Sequence, residues 1–144
     1  GKTTITPLQN LLISASIAND GEMMRPYLID HLEGPSGNTV RSYDSKSLGQ
    51  VVDTGTAKAL RKMMKAVTKE GTASSLGSLP YSVAGKTGSA EIDREGTSHA
   101  WFVGFAPANN PRIAVSIVVE KAGTGSQYAV PIARKLFENY LGSE

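Results

Sequence analysis

The run Ile113-Ala114-Val115-Ser116-Ile117-Val118-Val119 limits what this chain can fold into more than any other stretch. Ile113, Val115, Ile117 and Val119 interleave with Ala114, Ser116 and Val118, so one face is strongly apolar and the other is small and only mildly polar. Such a strand belongs in a sheet covered on both sides. Two more β-type runs precede it, Tyr81 to Glu91 and His99 to Ala106, and Pro107-Ala108-Asn109-Asn110-Pro111 is a turn composition joining the last pair.

Helices are read elsewhere in the chain. Thr6 can cap a helix start, Pro7 suits the first helical position, and Gln9 completes a capping box. Leu8, Leu11, Leu12, Ala15 and Ala18 then recur at helical spacing until Asn19-Asp20-Gly21, which predicts a helix over about 7–19. A second amphipathic helix is predicted from Thr56 to Lys69, with Ala57, Leu60, Met64 and Val67 on one face and Gly71 ending it. Its other side carries Lys58, Arg61, Lys62, Lys65 and Lys69, a basic stripe read as a solvated face. A third helix is expected from about Val130 to Leu141, with Ile132, Leu136 and Tyr140 on one face. Between the first two helices, Tyr27-Leu28-Ile29 and Val40 to Tyr43 flank Gly34-Pro35-Ser36-Gly37-Asn38, which predicts an exposed hairpin. A Gly/Ser-rich connection spans 71–80.

Composition removes several classes of function. With 144 residues, 40% of them hydrophobic, the chain is sized and composed for one folded domain. No apolar run approaches the roughly 20 residues of a membrane span. The 15 basic residues against 13 acidic ones leave +2, too even for a nucleic-acid binder held by phosphate contacts. Cysteine is absent, which excludes disulfides, thiolate metal sites and thiol nucleophiles, and two histidines leave little for a metal. We expect no metal and no cofactor. The chain opens on Gly1 without an initiating Met and reads as processed, clipped or cut from something longer.

Two stretches read Gly-Lys-Thr, yet neither makes a phosphate loop. That motif needs a Gly five residues before the Gly-Lys pair; for Gly85-Lys86 the position holds Pro80, and for Gly1-Lys2 the upstream chain is missing. Lys86-Thr87-Gly88-Ser89 sits instead in a strand-like stretch. There Lys86 offers a cation, Thr87 and Ser89 offer hydroxyls, and Gly88 leaves the backbone open to a ligand. An edge strand of this kind can bind a peptide carboxylate and aim an amide at an oxyanion. Taken alone, it also fits an ordinary strand with a wet face.

The surrounding sequence is more specific. Ala84-Gly85-Lys86-Thr87-Gly88-Ser89-Ala90-Glu91, then His99-Ala100-Trp101-Phe102-Val103-Gly104-Phe105-Ala106-Pro107 and a Val/Ile strand, resembles the last third of penicillin-binding protein transpeptidase domains of the class B branch. Thr6-Pro7-Leu8-Gln9, Gly71-Thr72-Ala73 and Pro131-Ile132-Ala133 continue the likeness in the same order. The resemblance implies an α/β fold of α+β type, a mainly antiparallel sheet covered by helices, transpeptidase- or β-lactamase-like and incomplete here. Residues 1–144 would be the carboxy-terminal part of a single domain.

In that family a Ser-x-x-Lys bears the acylated serine, a Ser-x-Asn assists proton movement, and Lys-Thr-Gly forms the opposite wall. No Ser-x-x-Lys occurs in this chain, and Ser36-Gly37-Asn38 lies in the predicted hairpin tip, after the helix it should precede. By resemblance, Lys86 supplies charge near nucleophile and substrate carboxylate, Thr87 and Ser89 bind that carboxylate, and Gly88 keeps the strand open. The Ser89 amide would donate to the oxyanion. Lys86 and Ser89 are thus the catalytic candidates. Trp101 is implied to be a buried core ring and His99 to be structural, while Glu91 reads as an exposed carboxylate.

The implied activity is a serine D,D-transpeptidase that cross-links peptidoglycan and is acylated by β-lactams. Its partners would be a stem peptide, β-lactams, the missing amino-terminal part of the domain and cell-wall assembly proteins. Its place would be the outer face of the cytoplasmic membrane, anchored through an absent helix. The alternatives are an inactive docking module of cell-wall assembly and a β-lactam-sensing or hydrolysing relative.

Overall fold

The computed structural model describes residues 4–93 and 95–142. Helix α1 (Pro7–Ala18) begins with the expected capping box: the Gln9 amide donates to Thr6 Oγ1 at 3.1 Å, and the Thr6 amide donates to Gln9 Oε1 at 2.8 Å. Four short strands follow, β1 (Glu22–Met24), β2 (His31–Glu33), β3 (Thr39–Ser42) and β4 (Ser47–Gln50), pairing antiparallel as β1 with β4 and β2 with β3. Next come α2 (Thr54–Glu70), a 3-10 turn at Ser74–Ser78, β5 (Ala84–Glu91), β6 (Ser98–Ala106), β7 (Ile113–Val119) and α3 (Gly125–Leu141).

Strands β5, β6 and β7 form one antiparallel sheet in that order, with Lys86 opposite Val103, and Val103 opposite Ser116. Both faces are covered, as the composition of Ile113–Val119 requires. On one side Phe102, Val115 and Ile117 pack with Val130, Ala133 and Phe137 of α3 and with Leu76 and Leu79. Phe102 and Phe137 meet edge to face, 6.5 Å between centroids and 77° between planes. On the other side Ala84, Phe105 and Ala108 pack with Met64 of α2, and Ile17 and Ala18 of α1 close over them.

Four expectations need correcting. Helix α3 starts at Gly125, and its buried stripe is Ala129, Val130, Ala133 and Phe137, whereas Ile132, Leu136 and Tyr140 are each more than 40% exposed. The two buried alanines let the helix lie close to the sheet, so its inward face is smaller than its outward one. In α1 the most buried side chains are Ser14 and Ser16, and Leu8 is half exposed. The hairpin pairs His31–Glu33 with Thr39–Ser42, so Tyr27-Leu28-Ile29 lies before the strand and outside the ladder. Ser36-Gly37-Asn38 does occupy its tip, Gly37 at φ +75°.

Arg61 leaves the basic stripe. Its Nη2 donates to the Ala18 carbonyl at 2.9 Å and meets Asp20 Oδ1 at 2.7 Å, placing a cation on the carbonyl end of α1. Arg61→Met is expected to cost about 1–2 kcal/mol locally. The Asn19 and Gly21 amides, bonded to Ala15 and Ser16 carbonyls, should then exchange roughly tenfold faster by hydrogen-exchange mass spectrometry. Unchanged exchange would contradict the capping role.

On the hairpin, His31 stands between two carboxylates, Nε2 3.1 Å from Glu33 Oε1 and Nδ1 3.0 Å from Asp30 Oδ1. The Glu33 bond, then Asp30, hold the imidazole pKa above its ordinary 6.5, and the His31 bond holds the Asp30 carboxyl below its ordinary 3.8. The His31 contribution is therefore complete below its unfolded pKa and lost as pH rises through the raised folded value. The Asp30 contribution is present above its unfolded pKa and lost as pH falls through its lowered one. An NMR titration should find the His31 midpoint above 6.5 and moved downward in Glu33→Gln; a midpoint unmoved by that change would refute the pairing.

Candidate active site

Strand β5 has β6 on one side and no strand on the other among the described residues, so Lys86-Thr87-Gly88-Ser89 runs along an open edge. Alternation sends Lys86 and Thr87 to opposite faces of the sheet. Lys86 is exposed on the α1 and α2 side, where its Nζ donates back to the Thr87 carbonyl at 2.6 Å. It borders a groove of about 370 Å³ walled by Ile13, Ile17, Leu60, Met63, Val67 and Val103. The groove is apolar apart from the lysine and the Ser14 hydroxyl, which is buried without a hydrogen-bond partner.

Thr87 turns to the other face and is only 9% exposed, its hydroxyl 2.6 Å from that of Thr72. A second hydroxyl contact lies nearby, where Thr68 Oγ1 in the last turn of α2 donates to the carbonyl of Val83, the residue before β5. Gly88 faces Trp101 in register, and an added Cβ there would meet the Trp101 Cβ at 3.3 Å. The start of α3 presses on the same backbone. A Cβ on Gly125 would lie 2.3 Å from the Trp101 carbonyl oxygen and 2.7 Å from that of Gly88, so only glycine admits this approach.

Ser89 is exposed and borders a shallow concavity shared with Ile5, Glu91, His99 and Trp101. Trp101 is half-buried at this rim and is not the buried core ring that the resemblance implies. His99 has a structural bond, its Nδ1 accepting from the Lys121 amide at 3.0 Å. Glu91 is exposed. Among the described residues no group of His, Asp and Glu is placed to hold a metal ion, and no helix is long and apolar enough to cross a membrane.

The four candidates therefore lie together on one strand edge, with Lys86 and Ser89 exposed and Thr87 buried against Thr72. Thr72 was legible only as part of Gly71-Thr72-Ala73, and nothing in its sequence neighbourhood points fifteen residues ahead to Thr87. The edge can do two things chemically: bring a cation and hydroxyls to an anionic ligand, and present backbone donors to a developing negative charge.

Residues 1–138 match the penicillin binding protein transpeptidase domain. The chain belongs to this family. It is 38% identical over 139 residues to the peptidoglycan D,D-transpeptidase PbpA of Mycolicibacterium smegmatis, covering 90% of this chain and 28% of that protein. To the peptidoglycan D,D-transpeptidase MrdA of Haemophilus influenzae it is 31% identical, over 98% of this chain and 24% of the relative. Among solved structures, the penicillin G acyl-enzyme complex of penicillin-binding protein A from Mycobacterium tuberculosis superposes with a TM-score of 0.86 at 33% identity, over 98% of this chain and 33% of that one. The chain thus spans about a quarter to a third of the length of these relatives, and its α+β architecture is theirs.

Proposed function

We propose that residues 1–144 form the carboxy-terminal part of one transpeptidase domain and supply one wall of the active site of a serine D,D-transpeptidase. The observation that carries this reading is the open β5 edge bearing Lys86, Thr87 and Ser89 in a chain of this family. The 144 residues contain no Ser-x-x-Lys, so the nucleophile and its activating lysine belong to a further segment of the complete protein.

In the proposed reaction that serine attacks the carbonyl of the D-Ala-D-Ala bond of a stem peptide. The carbonyl oxygen gains negative charge and is met by the Ser89 backbone amide, which a strand edge holds rigidly in place before the charge appears. Lys86 approaches the terminal carboxylate and the serine from one face; Thr87 and Ser89 hydroxyls approach the carboxylate from the other. The C–N bond breaks, D-Ala leaves with a proton on its amine, and the acyl-serine passes to an amine of a second stem peptide. A β-lactam presents a similar carboxylate and a strained amide, and its ring-opened acyl group stays on the serine.

Peptidoglycan as substrate places this domain outside the cytoplasmic membrane, with cell-wall assembly proteins as neighbours. The names of the relatives favour transpeptidation over the hydrolysing or sensing alternative. The test is an assay of the full-length protein on stem peptides ending in D-Ala-D-Ala. Release of D-Ala with formation of cross-linked dimers is expected; binding of wall fragments without release would favour the docking module.

A further inference from the structure

The Thr72 and Thr87 hydroxyls stand 2.6 Å apart, and either could be the donor in the isolated pair. A carboxylate settles the direction. It is acceptor-only, so when it reaches the β5 edge the Thr87 proton has to point at it. Thr87 then has only lone pairs left for Thr72, and Thr72 must donate. From this geometry we infer that Thr72 is a positioning residue for carboxylate recognition, donating to Thr87 Oγ1 and so orienting the Thr87 proton toward the ligand. The inference rests on the carboxylate-binding role proposed for Thr87.

Local structure supports this reading. Thr68, in the last turn of α2, spends its hydroxyl on the backbone carbonyls of Lys65 in its own helix and of Val83 just before β5. Thr72 is exposed and reaches the hydroxyl of a motif side chain instead. Its position is built in. A Cβ on Gly71 would lie 2.9 Å from the Val67 Cα and carbonyl oxygen, so the chain can turn this sharply off α2 only with glycine there. The Ala73 amide bonds the Val67 carbonyl at 3.2 Å, and Ala73 is fully buried. Thr72 is fixed between these two anchors. Consecutive hydroxyl bonds also polarise one another, making Thr87 the stronger donor.

The experiment uses the full-length protein and two probes, a penicillin and its methyl ester, which keeps the reactive amide and loses the anionic carboxylate. Thr72→Val should lower the acylation rate of the acid about fivefold, the scale of one neutral hydrogen bond, and leave the ester rate unchanged. Thr72→Ser should restore the acid rate. An acid-to-ester ratio unmoved in Thr72→Val overturns the inference, and so does an equal loss of both rates, which marks a purely structural role. Thr87→Val separates the two layers. If it lowers the ratio and Thr72→Val does not, only the inference fails; if the wild-type protein shows no preference for the acid, the site reading fails with it.

Discussion

Lys86→Ala in the full-length protein is expected to slow acylation by a penicillin by about a hundredfold or more. The Lys86 ammonium is exposed at the mouth of an apolar groove, and a ligand seated there would displace water and strengthen its attraction for a carboxylate and a developing oxyanion. It rests on the Thr87 carbonyl at 2.6 Å, a contact that rotation of its own flexible stem can exchange for a ligand. Lys86→Arg keeps the charge and changes its shape, so partial activity is expected there. Rapid-mixing kinetics with a chromogenic β-lactam measures both variants. Acylation of Lys86→Ala at the wild-type rate would remove Lys86 from the mechanism.

The second large effect concerns the 144-residue chain expressed by itself, which is expected to self-associate. Ile13 is 48% and Met63 58% exposed beside the half-buried Leu60, Val67 and Val103, and together they leave an apolar groove open between α1, α2 and the sheet. Apolar surface of this kind is seldom left bare. The free β5 edge adds unpaired backbone donors and acceptors that another strand can satisfy. Sedimentation velocity should therefore show dimers or larger species, and Met63→Lys should shift them toward monomer. A stable monomer with one cooperative thermal transition would contradict this, and would favour an independently folding module.

The elements whose pattern is local were legible in the sequence. Thr6 and Gln9 mark the start of α1 because both partners of the capping box lie within one turn. The three long strands are bounded by turn residues and fall close to where alternation puts them. Long-range partners were not legible. Ala129 and Ala133 carry too little apolar surface to mark the buried face of α3, yet their small size is what lets the helix approach the sheet. Arg61 reads as one more surface cation until α1 brings its last carbonyls alongside. The candidate site was half visible: Lys86 to Ser89 form one contiguous stretch, while Thr72 and Gly125 join it only through folding. Gly125 has no sequence mark at all, because its role is to have no side chain where the Trp101 and Gly88 carbonyls crowd in.

In the proposed reaction this chain provides a substrate-binding wall, and the nucleophile lies elsewhere in the protein. Intact-mass spectrometry after incubation with a penicillin tests it directly, run on the 144-residue chain and on the full-length protein in parallel. No adduct is expected on the 144-residue chain and one per molecule on the full-length protein, with the label mapping to the serine of a Ser-x-x-Lys. A stoichiometric adduct on a serine within these 144 residues would contradict it.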